Sequence, residues 1–400
     1  MTKIATNSLI RVVLLILLAW FAFACTVHYV FQRSLWNDEL AVFNSILILK
    51  PSEFFTEPLR VDQVFPHFYL FCIQAFAKQF HNSILGLRFF SYMSMMVAFC
   101  VWLRVARREL KDPLQYLTFV MCWIASAPLI YYSAELKQYS MDVLVSGLFV
   151  MFLYVQEDLK NSTNGLRYVL ILALLPMAVL FSYPAYFFLI FPLWNLCLDA
   201  RADRSQSKFL LVYACSLLVC VALSYQFDVR LRPVEVVGNG FNDYFISTHS
   251  LGDFFQTFGE GINNIFSRWF VELPKIFRKS ARVFMFFGLI HLFVAFFKNI
   301  NKRGWKFCSI PTVALVVFFE LAVAGMFQKY PFGVPRTALF LCPMILFLTV
   351  QGICAVKAFN RYAYYALHGS FLVYLFVVAL GILKFVLTQP LIAIPTLWSS

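Results

Sequence analysis

Three polar stretches interrupt an otherwise apolar chain. The first, Ser34-Leu35-Trp36-Asn37-Asp38-Glu39, sets two adjacent carboxylates behind a tryptophan. A carboxylate so placed can take a proton from a hydroxyl, while the local reading is a helix start, with Asn37 or Asp38 as N-cap and Glu39 in the first turn. The second runs from Tyr131 to Ser140 and puts Glu135 and Lys137 among three tyrosines, between two strongly apolar segments. An ion pair across so short a solvated turn is worth little, which explains this concentration of polar groups poorly. The third, from Gln328 to Arg336, contains Pro331, Gly333 and Pro335, which fix a rigid turn, with Arg336 opening the next helix. Arg336 reads either as a phosphate ligand or as a side chain snorkelling to the membrane surface.

What must position these groups is a membrane bundle. The 400 residues are 61% hydrophobic and 13% charged, with a mean hydropathy of +0.75, more apolar than a soluble core requires. The segments are continuously apolar rather than alternating, which excludes a closed barrel. The 48 Phe, 19 Tyr and 8 Trp are lipid-facing or interfacial by default. A net charge of +13 could suggest nucleic acid, but the basic residues are dispersed in short loops, so no nucleic-acid partner is expected. The cysteines lie in apolar stretches without metal-ligand spacing and read as small core residues.

The expected fold is all-α: a polytopic transmembrane bundle of about eleven spans forming a single integral-membrane domain over 1–400. The spans are placed roughly at 9–30, 88–104, 114–133, 140–156, 167–182, 184–198, 209–227, 283–298, 307–327, 337–356 and 362–383. The first apolar run is too long for a signal core and is expected to be retained. With the N-terminus cytoplasmic, every short cytoplasmic loop is basic, including Arg104, Arg107, Arg108 and Lys111, then Arg201, Arg204 and Lys208. The same solution sets three segments outside an inner membrane: 31–87 with the acidic motif, 133–139, and 228–282. The piece 65–80 and the aromatic positions Phe254, Phe255, Phe258, Trp269 and Phe270 read as interfacial helices.

In order and spacing these motifs resemble a family. Asp38-Glu39 after the first span, Gln63-x-x-Pro66-x-x-Tyr69 before Arg88-Phe89-Phe90-Ser91, Glu135-x-Lys137-x-Tyr139-Ser140, and Tyr330-Pro331 with Arg336 look like the GT-C fold glycosyltransferases that use polyprenyl-phosphate sugars. Bacterial members akin to protein O-mannosyltransferases and to the lipid A aminoarabinose transferase are the most similar in pattern. The likeness covers 30–140 and, loosely, 328–343. Two departures stand out: Lys137 occupies a position usually held by arginine, keeping charge but losing the bidentate fork, and Phe65-Pro66 replaces paired prolines.

The resemblance implies a GT-C-like fold and sugar transfer from a polyprenyl-phosphate donor to an extracytoplasmic acceptor. A lipid phosphate is already a competent leaving group, whereas an acceptor hydroxyl must lose its proton as it attacks. Asp38 fits that base, with Glu39 as its catalytic partner; Lys137 and Arg336 fit the cations that meet the departing phosphate. Glu135, Tyr139, Tyr69, His67 and Tyr330 are the expected substrate contacts, with Glu39 and Glu135 orienting the acceptor, the sugar or Lys137. No cofactor is required; His67 could join Asp38 or Glu135 at a divalent metal, but none is needed. The competing classes are a secondary transporter, which favours charges near mid-membrane and broken helices, and an envelope-polymer ligase.

Overall fold

The computed structural model describes residues 3–31, 33–60, 63–161, 165–232, 242–269, 306–307, 309–358 and 360–388, with isolated helical positions between 283 and 297. The described residues form helices and no strand. Five helices are long and apolar enough to cross a bilayer: α1 (Lys3–Val30) over its Arg11–Val30 part, α4 (Ile84–Glu109), α7 (Tyr139–Lys160), α10 (Ser207–Phe227) with its short flanking turns, and α14 (Arg361–Thr388). A sixth candidate is broken. Where one span was expected at 114–133, α5 (Pro113–Ile124) and α6 (Ala127–Tyr131, continued as a 3₁₀ turn to Ala134) meet at 58°. Pro128 lies in the first turn of α6, which suits a helix start and not the interior of a continuous span.

Other expected spans are shorter pieces. The 167–182 segment is α8 (Gly165–Leu174) followed by a 3₁₀ stretch, Leu175–Leu180, with Pro176 in its first turn. Expected span 184–198 becomes a 3₁₀ turn, Tyr183–Phe188, and α9 (Ile190–Ala202). Helices α12 (Ile310–Met326) and α13 (Cys342–Ala355) follow later in the chain, each opened by proline in its first turn. By length and composition the described residues thus supply five or six spans, against the eleven expected. Most of 283–298 and the residues 233–241 and 270–282 lie outside the described residues.

The helix at the centre is α7. Two-thirds of its most apolar window is buried, whereas α1 and α10 keep most side chains outward, Leu15 and Leu218 among them. An inner helix with no polar face to spare can be apolar all round, as α7 largely is. It packs closely on α4 because Gly147 has no side chain: a Cβ there would come within 2.8 Å of Trp102 Nε1. The same indole donates to the Val143 carbonyl at 3.1 Å.

Piece 65–80 is α3 (His67–Gln79), and a further helix, α2 (Asn37–Ile48), precedes it. Both are too short to span. They enclose a second apolar core of Val42, Ile46, Phe54, Phe65, Tyr69, Leu70 and Ile73 beside the N-terminal end of α4. Aromatic residues expected to lie in an interfacial helix form α11 (Leu251–Trp269), whose Phe258 stacks on Phe332 at 5.2 Å. Gly261 permits that approach, since a Cβ there would meet Phe332 at 2.6 Å.

Charge sorts the two ends of the bundle. At one end Arg108 donates to the Tyr154 carbonyl at 2.8 Å, Lys160 to Asp199 at 3.0 Å, Lys306 to Glu157 at 2.9 Å and Lys357 to Asp112 at 3.3 Å. The motif residues gather at the other end, where α4 and α7 begin.

Candidate active site

Helix α2 starts where the sequence motif lies. Trp36 is the N-cap, Asn37 the first helical residue, and Glu39 reaches back to accept from the Trp36 backbone N–H at 3.4 Å. This geometry sends the two adjacent carboxylates in different directions. Glu39 is fully buried. Its Oε1 accepts from Arg88 Nε at 2.9 Å and from the Leu136 N–H at 2.6 Å, and its Oε2 accepts from Arg88 Nη2 at 2.8 Å and Arg33 Nη1 at 2.7 Å. Burial alone would push this carboxyl up, but Arg88 and Arg33 outweigh it and hold Glu39 below its ordinary range. Every lone pair is in use, so Glu39 ties α2, α4 and the turn before α7 together and has no face left for a substrate.

Asp38 points into a cavity of about 360 Å³ lined also by Gln63, Lys137, Tyr139, Tyr330 and Arg336, within the usual range for small-molecule sites. Arg336 Nη1 donates to Asp38 Oδ2 at 2.7 Å. Lys137 Nζ lies 4.0 Å from the same oxygen and donates to Gln63 Oε1 at 2.7 Å. Burial lowers the Lys137 pKa from its ordinary value, with Asp38 opposing. Aromatic rings back both cations: Phe65 under Lys137 at 5.9 Å and Trp36 under Arg336 at 5.7 Å. Arg336 stands in the turn before the 3₁₀ piece Leu339–Leu341, and the left-handed Gln328 (φ 54°) closes α12 to begin that turn.

Glu135 lies one layer behind. Its Oε1 accepts from Trp36 Nε1 at 2.9 Å, so it positions the ring beneath Arg336. Burial, then the nearby Glu39 charge, pushes its pKa up to about 7.

Of the expected substrate contacts, Tyr139 and Tyr330 line the cavity. Tyr69 does not; it is fully buried and stacked on Phe65 at 5.7 Å in the second core. Nor does His67, whose Nδ1 is 2.6 Å from the Phe54 carbonyl and whose side chain borders a separate, mainly apolar cavity with Phe55, Phe227 and Asp228. Helix α3 buries both side chains, Tyr69 in the second core. Among the described residues no group of three or more His, Cys, Asp and Glu converges.

Three cavity residues carried little or no local signal: Asp142, Tyr183 and Arg232. Asp142 had the one available cue, a carboxylate inside an apolar segment.

No family model and no curated protein matches the sequence. Solved structures do. ArnT from Cupriavidus metallidurans bound to undecaprenyl phosphate superposes with a TM-score of 0.52 at 15% identity, covering 93% of this chain and 73% of ArnT. Apo ArnT gives 0.54 at 14% identity, covering 97% and 78%. The chain therefore has a GT-C-like fold, that of a helical, multi-pass membrane protein.

Proposed function

We propose that this protein is a membrane glycosyltransferase that moves a sugar from a polyprenyl-phosphate donor to an acceptor hydroxyl in a single inverting displacement. One observation carries the reading: a carboxylate and two cations, Asp38, Lys137 and Arg336, share one cavity in a GT-C-like fold. ArnT, which has that fold, binds undecaprenyl phosphate.

Asp38 takes the acceptor's proton as its oxygen bonds to the anomeric carbon. The bond from that carbon to the phosphate oxygen breaks, and its electron pair leaves with the lipid phosphate. Lys137 and Arg336 meet the charge growing on that oxygen. A phosphate held by Arg336 competes with Asp38 for the guanidinium and leaves the carboxylate free for proton transfer. One base suffices for inversion, and no paired-carboxylate geometry is needed. Glu39 acts as scaffold, and Glu135 as a positioning residue through Trp36.

The cavity end faces outward from an inner membrane in this proposal, because the basic loop ends gather at the opposite end. The test uses purified protein in nanodiscs with a panel of undecaprenyl-phosphate sugars and soluble sugar acceptors. Asp38-dependent release of bare undecaprenyl phosphate is expected. A wild-type protein that binds neither the carrier nor any sugar-bearing form overturns the proposal.

A further inference from the structure

Beyond the phosphate cations the cavity holds a second polar feature. Asp142 is 2% exposed and Gln138 9% exposed, yet Asp142 Oδ1 and the side-chain oxygen of Gln138 accept from no donor among the described residues, although both residues line the cavity. They sit one turn apart at the start of α7, where the Asp142 N–H donates to the Gln138 carbonyl at 2.9 Å. A buried acceptor left without a donor is costly, and native proteins keep such groups where something else supplies the donor.

The tyrosines around them do not supply it. Tyr330 gives its hydroxyl proton to the Thr337 carbonyl at 2.8 Å, and Tyr183 gives its own to Asp228 at 2.9 Å. Their rings therefore present apolar faces to the cavity, alongside Tyr186 and Phe187. The wall combines aromatic faces with unsatisfied acceptors, which suits a ligand that is apolar on its ring faces and rich in O–H donors at its edge. A helix rises about 1.5 Å per residue, so Asp142 lies roughly 4–5 Å along α7 from its first residue, Tyr139, and Lys137 stands in the turn just before. A group attached to a phosphate held by Lys137 and Arg336 reaches it.

We infer that Asp142, with Gln138, forms the hydroxyl-reading wall of the cavity and is the specificity-determining residue for a polyhydroxylated donor sugar. This rests on the glycosyltransferase reading and adds which part of the donor the wall recognises. Asp142 offers its Oδ1 to a sugar hydroxyl, and because a buried acceptor without a donor is costly the contact is sensitive to its loss.

The experiment compares binding of bare undecaprenyl phosphate with binding of undecaprenyl-phosphate glucose, mannose and arabinose, by native mass spectrometry in nanodiscs. In the wild type at least one sugar-bearing form binds more tightly than the bare carrier. Asp142→Leu, which is close in size and has no acceptor, should lose about tenfold or more of the affinity for that form while binding the bare carrier within about twofold. Gln138→Met should show the same pattern more weakly, and it keeps the test open should Asp142→Leu fail to fold. If both variants bind the preferred form as the wild type does, or if no sugar adds to the affinity of the carrier, the inference is wrong while the phosphate site stands. Absence of carrier binding in the wild type instead brings down the parent reading and this inference with it.

Discussion

Arg336 and Asp38, 298 positions apart in sequence, meet in a 2.7 Å hydrogen-bonded ion pair. The pair is partly open to solvent, with 18% and 28% of the two side chains exposed, so it contributes modestly to stability. Its interest lies in what a phosphate would do to it.

Replacing Arg336 with Gln separates phosphate binding from snorkelling. Donor affinity and turnover should both fall, by roughly 30- to 1,000-fold in rate. Arg336→Lys should recover part of the loss, since charge survives and bidentate geometry does not. Donor-dependent transfer with matched amounts of folded protein is the measurement, and a loss below about threefold in Arg336→Gln rejects the role.

Asp38→Asn should remove transfer, by about 10²- to 10⁴-fold for a lost general base, while thermal stability stays near wild type. Asp38 is partly exposed, Arg336 stays partly open to solvent, and buried Lys137 keeps its hydrogen bond to Gln63. An active Asp38→Asn enzyme ends the base assignment.

Its neighbour should behave in the opposite way. Glu39→Gln leaves Arg33 and Arg88 buried without their carboxylate, a change that costs about 3–5 kcal/mol in comparable sites. The readout is the yield and unfolding temperature of the detergent-solubilised protein. A Glu39→Gln protein of wild-type stability that lacks transfer would return a direct catalytic role to this residue.

Two adjacent letters in the sequence thus carry different work, and that division was not legible there. Asp38-Glu39 looked like one acid pair because composition and spacing do not say which side of a helix start each carboxylate takes. The sequence did mark Lys137, Arg336, Tyr139 and Tyr330, because charged and aromatic groups at the ends of apolar runs stand out against their surroundings. That Tyr69 and His67 stand away from this cavity could not be read there, since a short amphipathic helix can lie on lipid or fold inward and its pattern is the same in both cases. Long helices such as α4, α7 and α14 were readable from hydropathy, whereas the break at Ala125–Ser126 and the 3₁₀ stretches after Leu174 were hidden by apolar residues that suit either geometry.

Stability should depend on pH through Glu135. Its folded-state pKa of about 7 lies above the ordinary 4.5, so the native protein holds a proton that the unfolded chain releases. Stability from this group is full below about pH 4.5, declines as pH rises to about 7, and is flat above. Buried His67, whose pKa is lowered by burial, acts in the opposite direction, so the comparison needed is wild type against Glu135→Gln. Unfolding temperatures between pH 4 and 8 should show the variant gaining on the wild type as pH rises (window of about 4 units). Parallel curves for the two proteins rule out a raised Glu135 pKa.

Single-cysteine labelling from the two sides of inverted and right-side-out vesicles checks the orientation. Asn37 and Lys329, both exposed, should be reached from outside, and exposed Lys111 and Lys208 from inside. Labelling of Asn37 and Lys111 positions from one side would contradict it.

The Glu39 knot also bears on how the protein is made. Its partners are Arg33, Arg88 and the Leu136 N–H, all within the first 136 of 400 residues, whereas the cavity is completed by Arg336. During synthesis every partner of Glu39 is therefore present once residue 136 has been made, and Lys137 is the next residue to follow. Some 200 further residues must be inserted before the second cation arrives (336 − 136). Ribosomes that stall or membrane proteases that clip the chain between α7 and α12 would thus leave an N-terminal piece that carries the Glu39 knot and lacks the second cation, and lipid phosphate would meet a functioning centre only in the finished protein.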